Sequence, residues 1–351
     1  MRRVFVRFVF GVFLFAAVPA AGSQPGSVAS AEQERLIDEL RGVYRTLYAL
    51  SDDGQREEIL RDLIGHDVAA MRVFGLDLAR RTLLNARDVP AEVLTGCEAL
   101  LFDDSSDVRA QAAKLLSTRG GAGAPSALAR ALATETDASA AREILRALSQ
   151  NPGDLRISAL FEWMARGSEA RESAFAVANA ILRTRGDRVP AHARDRLSEL
   201  IGGFDAGSTT PSRVELAWTL GMEGFVGSAL RSSDPELRTV AAELMSKDPA
   251  HVDAIIEVAR QHPRVYPMAV EAIARHRPTA EGYEIASRLP AATEEQRREG
   301  LRRVRVELPP SELVRVARAE SDLQAREEML RHIEGEGVAV RPGEGSDWAR
   351  V

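Results

Sequence analysis

A helical segment with an arginine in its first turns recurs along the chain at a nearly constant interval. The clearest copy is 234–245, DPELRTVAAELM, in which an acidic residue and a proline precede Arg238. Leu237, Ala241 and Leu244 have the spacing of one face of an amphipathic helix. Recurrence of one such segment favours an array of similar units over a single compact core.

The residues equivalent to Arg238, called anchor positions below, divide the chain into units. The first and last anchors lie 254 residues apart across eight intervals, so one unit averages about 32 residues, the length of two helices with tight turns. The anchor positions are Arg72, Arg109, Arg142, Arg171, Arg213, Arg238, Met268, Arg298 and Arg326.

The residues between the periodic segments also repeat. A proline stands near the start of the first helix of several units, where its missing N–H costs nothing. Acidic or serine-rich turns precede the second helix, and their side chains can accept hydrogen bonds from the free N–H groups of its first turn. The prolines are Pro90, Pro125, Pro190, Pro278 and Pro310; the turns are 103–107, 135–137, 232–234 and 320–322, with a capping box at 293–296.

Composition agrees with this pattern. Aromatic residues make up only 5% of the 351 residues, which favours closely packed helices over a sheet sandwich, and an all-α fold is predicted.

The net charge is −6 and no long basic stripe is present, which argues against nucleic acid as a partner. The single cysteine, Cys97, excludes an intrachain disulfide and has the spacing of a buried apolar residue.

The first 21 residues have the pattern of an export signal. Arg2, Arg3 and Arg7 form a basic segment, 8–18 is apolar, and small residues follow at 18–21. The apolar run is shorter than the ~20 residues of a membrane span. Residues 1–21 are therefore predicted to be a signal peptide that directs a bacterial protein to the periplasm or outside the cell, with no membrane span after cleavage. An uncleaved N-terminal anchor is the alternative.

The rest of the chain is predicted to contain four parts. Residues 22–30 form a linker rich in glycine, serine and proline, and 31–54 form a helix that caps the N-terminal end of the array. The repeat array spans 55–334, with a possible hinge at 202–212, where three glycines interrupt the pattern. The last segment, 335–351, has no apolar periodicity and is predicted to be a disordered tail.

The anchor segments resemble a known family. SSDPELRTVAAELM and SSDVRAQAAKLL are similar to the second helix of HEAT and HEAT-like repeats, with an acidic turn, an apolar residue before arginine, and Ala then Leu at helical spacing. The resemblance is strongest in 90–150 and 213–250 and weakest around 264–305, where Met268 replaces arginine. It implies a right-handed α-α superhelix of about nine two-helix units, whose second helices line a concave surface.

The resemblance also implies a role for the anchors. In such repeats the arginine and the turn acid bond between successive units and align the stack; the residues assigned this structural role are Arg72, Arg109, Arg238, Asp67, Asp107 and Asp234. Phe204 stands in the glycine-rich interruption without a periodic context. It is the residue predicted to contact a partner outside the core.

No catalytic or metal-binding motif is recognisable. The six histidines are scattered over different units, and neither a HExxH motif nor a Cys/His cluster is present. No cofactor is predicted. The sequence therefore favours a noncatalytic scaffold or adaptor that binds a protein or peptide on its concave surface. The alternative is a lyase-type enzyme of HEAT-like architecture that acts on a small molecule or a protein-attached pigment.

Overall fold

The computed structural model describes residues 28–85, 88–119, 123–166, 169–203, 209–319, 326–327, 329–331 and 333. The predicted signal peptide, the predicted tail and Phe204 therefore lie outside the described residues, as do most of the predicted linker and the middle of the predicted hinge. The described residues form α-helices, short 3-10 helices and turns, without a strand. The predicted all-α fold is confirmed.

Packing divides the chain into two compact units, Met1–Ala99 and Leu100–Val351, called unit 1 and unit 2. This boundary was not predicted, because the repeat pattern continues through it. The helices that flank the predicted hinge at 202–212 both lie in unit 2. In unit 1 the helices are α1 (Val28–Leu50), α2 (Asp53–Ile64), α3 (Ala69–Leu84) and α4 (Ala91–Ala99).

Unit 2 begins with a 3-10 turn at Leu100–Phe102 and then consists of helical hairpins. Among the described residues, 326–327, 329–331 and 333 are also helical. The helices with defined bounds are α5 (Ser106–Arg119), α6 (Ala124–Thr134), α7 (Ala138–Gln150), α8 (Phe161–Ala165), α9 (Ala170–Arg185), α10 (Ala191–Gly202), α11 (Pro211–Thr219), α12 (Glu223–Leu230), α13 (Pro235–Met245), α14 (Val252–Ala259), α15 (Tyr266–His276), α16 (Ala280–Arg288), α17 (Glu294–Glu307) and α18 (Pro310–Ala319).

The helices of unit 2 stack in chain order. The odd-numbered helices from α5 to α17 are called the inner helices below, because they correspond to the helices predicted to line the concave surface. Each inner helix contacts the next one, and each even-numbered helix from α6 to α16 contacts the inner helix that follows it. Every anchor position from 109 to 298 lies in the first two turns of an inner helix. The predicted two-helix unit is therefore the packing unit of this part of the chain.

Stacking supplies each hairpin with its core. In α7, which packs between α5 and α9, Ile144, Leu145 and Leu148 are completely buried, as are Ala140 and Ala141. The alanines allow neighbouring helix backbones to approach closely, while the larger side chains fill the space between them. No single hairpin could bury these residues from all sides, so the hydrophobic core is shared between successive units.

Polar side chains begin many of the helices as predicted. Asp137 caps α7 by accepting a hydrogen bond from the N–H of Ala140, and Asp234 caps α13 by accepting one from Glu236. The segment 31–54, predicted to be one helix, contains the end of α1 at Leu50 and the start of α2 at Asp53. Asp52 caps α2 in a capping box with Gln55.

Candidate functional site

Four anchor arginines bind the turn that precedes their own helix. Arg72 donates to the carbonyl oxygens of His66 and Asp67, at 2.7 and 2.9 Å. Arg109 and Arg238 repeat this geometry on the carbonyl oxygens five or six residues earlier, and Arg171 donates to the carbonyl oxygen of residue 166. A guanidinium carries several donors in one plane, so one side chain can fix a turn whose carbonyl oxygens have no helical partner.

Two anchors also connect successive two-helix repeats. The Arg109 guanidinium forms a bidentate ion pair with Glu135, at 2.7 and 2.8 Å, and Glu135 begins the short turn between α6 and the next inner helix, α7. Arg142 also pairs with the next turn, through one nitrogen to one carboxylate oxygen of Glu169, the residue that precedes α9. These pairs join an inner helix to the turn before the following one.

The three acids that were predicted to align the stack are described by contacts at their own turns and helices. Asp234 is used as a helix cap, Asp67 contributes its backbone carbonyl oxygen to Arg72, and Asp107 lies exposed in the first turn of α5. Spacing alone did not indicate that Glu135, rather than a nearer aspartate, would pair with Arg109. The stacking role of the six predicted residues stays a prediction.

Glu135 is the most deeply buried carboxylate of these pairs. Its side chain is 1% exposed, and it accepts hydrogen bonds from Arg109 and from the backbone N–H groups of Thr136 and Asp137. Burial alone would raise the pKa of this carboxyl, but the hydrogen bonds from Arg109, Asp137 and Thr136 outweigh it and lower the pKa. The ionised form therefore stabilises the folded protein.

Arg213 is the anchor that differs most from the others. It is 1% exposed, its guanidinium lies 5.8 and 5.6 Å from the ring centroids of Phe175 and Phe225, and it donates to the carbonyl oxygen of Ile201 at 2.7 Å. Desolvation lowers the pKa of Arg213; the charge of Glu172 raises it, and the charge of Arg171 lowers it further. Its position in the repeat gave no sign of this burial, because the two aromatic rings come from helices more than one unit apart in sequence.

A polar seam connects α9 and α11. Asn179, which is buried, donates to Glu215 at 3.1 Å and accepts from the Thr219 hydroxyl at 2.7 Å. Near the start of the same helices, the Thr210 hydroxyl bonds to Glu172. Sequence analysis missed this network, because single polar residues within an apolar helical pattern do not reveal their partners.

A cavity of about 330 Å³ lies between α1 and α3 in unit 1. The Tyr48 and Thr82 hydroxyl groups hydrogen-bond at 2.8 Å along its wall. Its carboxylate, Asp77, is paired through one oxygen with Arg80 and through the other with Arg81. A carboxylate held in this way is poorly placed to act as a general base.

The remaining candidate groups show no convergence within the described residues. There, no three His, Cys, Asp or Glu side chains are grouped as ligands for a metal ion. Cys97 is buried, and burial together with Glu98 raises its pKa to about 12, so the thiol stays protonated. Trp163 is buried, whereas Trp218 is only partly buried and meets the His251 ring edge to face at 5.6 Å.

Across the part of the chain that the structure describes, none of the helices has the length and apolar character needed to cross a bilayer.

No protein-family model and no curated protein matches the sequence. Solved structures with some similarity include an engineered protein, 16% identical, with a TM-score of 0.46 over 88% of this chain and 96% of that one. The complex of CpcE and CpcF of phycocyanin lyase from Nostoc sp. PCC7120 is 14% identical, with a TM-score of 0.40 over 72% and 94%. A homology model of the AP-3 complex in an intermediate open conformation is 10% identical, with a TM-score of 0.45 over 88% and 73%.

Proposed function

We propose that this protein is an exported, noncatalytic scaffold of HEAT-like repeats, which binds a protein or peptide partner along the inner helices of unit 2. The observation that carries the proposal is the unbroken succession of inner helices from α5 to α17. Each inner helix adds a similar row of side chains beside the previous row. Surfaces built in this way suit extended partners, because affinity accumulates over several units.

The exposed side chains of the inner helices favour a polar partner. Arg146 on α7, Arg183 on α9, Glu243 on α13 and Arg275 on α15 are exposed. In the described part of unit 2, the large apolar residues that stand exposed are Phe102 and Val306, and neither belongs to α7–α15. We therefore expect recognition through charge and hydrogen bonds, which determine specificity and association rate more than raw affinity.

Charge reversal on the inner helices tests this proposal. The double variant Arg146→Glu with Arg183→Glu is expected to reduce capture of the partner by about tenfold or more, because it replaces two exposed positive charges on the binding surface. The measurement is affinity purification of the full chain from the cell envelope fraction, with quantitative mass spectrometry of the proteins recovered.

The matched control changes the same charge on the even-numbered helices. Arg130 on α6 and Arg196 on α10 are also exposed, so Arg130→Glu with Arg196→Glu alters net charge equally without touching the inner helices. Equal loss of the partner in both double variants would contradict binding on the inner helices. Recovery of the protein only from cytosol would contradict the proposed export.

The lyase-type alternative requires acidic or histidine side chains that converge in a pocket. The cavity between α1 and α3 offers Asp77, and both of its carboxylate oxygens are already paired with arginine. The scaffold is therefore the function that the geometry supports best.

A further inference from the structure

The cavity between α1 and α3 has an apolar interior and a polar rim. Its volume of about 330 Å³ is at the lower end of the range found for small-molecule sites. The partly buried side chains of Tyr48, Phe74 and Leu78 line the interior, whereas the exposed residues that form the rim are Arg45, Ala49, Arg81 and Asn85. A few polar groups around an apolar interior are typical of sites that bind and orient one small molecule.

The charged side chains that line the cavity favour an anion. They are Arg45, Arg81 and Asp77, two positive charges against one negative, in a chain whose net charge is −6. Asp77 is paired through one oxygen with Arg81 and through the other with Arg80, which lies outside the lining. A cationic ligand would therefore find no unpaired carboxylate in this cavity, whereas an anionic ligand would meet a positively charged rim.

Arg45 is the rim cation that has no carboxylate partner among the described residues. Its guanidinium lies 5.7 Å from the centre of the Phe74 ring. This cation–π contact holds the guanidinium beside the cavity and leaves its N–H groups for other partners. Because a guanidinium presents paired N–H groups that match the two oxygens of a carboxylate, Arg45 is placed to bind a ligand carboxylate at the rim.

The hydroxyl pair of the cavity determines which way such a ligand would lie. Thr82 donates its hydroxyl hydrogen to the carbonyl oxygen of Leu78 at 2.9 Å, so Tyr48 must donate in the 2.8 Å bond between the Tyr48 and Thr82 hydroxyl groups. Both hydrogens are then used within the protein, and the two oxygens retain only acceptor lone pairs. A carboxylate gains nothing from such oxygens and loses its hydration beside them, so it belongs at the rim, with the apolar part of the ligand in the interior.

We propose that this cavity binds a small aromatic carboxylate, with the carboxylate on Arg45 and the ring beside Tyr48 and Phe74. Those two side chains offer a ligand ring the offset or edge-to-face contacts that aromatic pairs prefer. At about 30 Å³ per water-sized group, the cavity holds about eleven non-hydrogen atoms, which is the size of 3-phenylpropionate. The cavity is in unit 1, so this proposal does not depend on partner binding by the inner helices of unit 2.

Isothermal titration calorimetry of the full chain with 3-phenylpropionate tests the proposal. We expect a dissociation constant on the order of 100 µM, because a ligand of this size makes few contacts. The neutral analogue 3-phenylpropionamide has nearly the same shape without the charge and should bind about tenfold more weakly. Equal affinity for the two compounds would overturn recognition of the carboxylate, and no binding of 3-phenylpropionate at ~5 mM, far above the expected dissociation constant, would overturn the site itself.

Two variants test whether 3-phenylpropionate binds in this cavity. Arg45→Gln removes the unpaired cation and should weaken binding by about tenfold, whereas Ala49→Phe fills the cavity from its rim and should abolish binding with Arg45 intact. Arg35→Gln is the matched control, because Arg35 is an exposed arginine of α1 outside the lining. All three residues are exposed, so circular dichroism of the variants should match that of the wild type. Undiminished binding to Arg45→Gln or to Ala49→Phe, or an equal loss in Arg35→Gln, would overturn the proposal.

Discussion

Glu135→Ala is expected to lower the free energy of unfolding by about 3 kcal/mol. The Glu135 carboxylate accepts two hydrogen bonds from Arg109 and two from backbone N–H groups, at 2.7 to 2.9 Å. Alanine would leave a guanidinium that is 16% exposed without its ion pair and two N–H groups without their acceptor. Chemical denaturation, followed by circular dichroism, measures the loss.

An exposed pair of similar geometry provides the control. Asp253 binds Arg277 through both oxygens, at 2.6 and 2.7 Å, but its side chain is 78% exposed. Asp253→Ala should cost less than about 1 kcal/mol, since water competes for both partners. Equal effects of the two substitutions would show that burial of Glu135 does not increase the contribution of its ion pair.

The effect of Glu135 should also depend on pH in a defined direction. Its pKa is lowered in the folded protein, so the unfolded chain binds the proton more tightly. The stabilisation is complete above the unfolded pKa of about 4.3 and is lost as pH falls through the lower folded value. The difference in stability between the wild type and Glu135→Gln should therefore shrink below pH ~4.

Gly282→Ala is expected to destabilise the protein by about 3 kcal/mol, at the upper end of the usual cost of overpacking. A Cβ atom at this position in the first turn of α16 would lie 2.3 Å from the carbonyl oxygen of Arg277 and 3.0 Å from Cγ2 of Ile273. The oxygen belongs to the backbone of the turn between α15 and α16, so it cannot move aside as a side chain can. Thermal unfolding monitored by calorimetry would measure the change.

Gly224→Ala is the control for this substitution. Nothing lies within 4 Å of the corresponding Cβ position in α12, and glycine is a poor helix former. This change should leave stability unaltered or raise it by up to about 1 kcal/mol. If Gly282→Ala were equally harmless, the result would contradict the close approach of the α15–α16 turn to the Cβ position of residue 282.

The sequence was sufficient to predict the repeating part of the fold. The spacing of the anchors placed Arg109, Arg142 and Arg238 correctly at the starts of inner helices, because helical periodicity and turn residues act locally. Asp137 and Asp234 were likewise predicted as caps from their position before a periodic segment.

Long-range partners were much less predictable. Arg109 has acids at 103, 104, 107 and 135 within one unit, and only three-dimensional packing selects Glu135 as the partner of its ion pair. The burial of Arg213 depends in the same way on Phe175 and Phe225, which lie on different helices.

Distances between spin labels on the inner helices test the stacking of successive hairpins most directly. In the first pair, spin labels on cysteines replace the exposed residues Arg146 in α7 and Glu243 in α13, which are three packing steps apart. In the second pair, the labels replace Arg146 in α7 and Arg275 in α15, which are four packing steps apart. With roughly 10 Å between packed helices, double electron-electron resonance should give about 30 Å for the first pair and about 40 Å for the second. A second distance equal to or shorter than the first would mean that distant segments fold back on one another, which contradicts a stack in which each hairpin completes the core of the next.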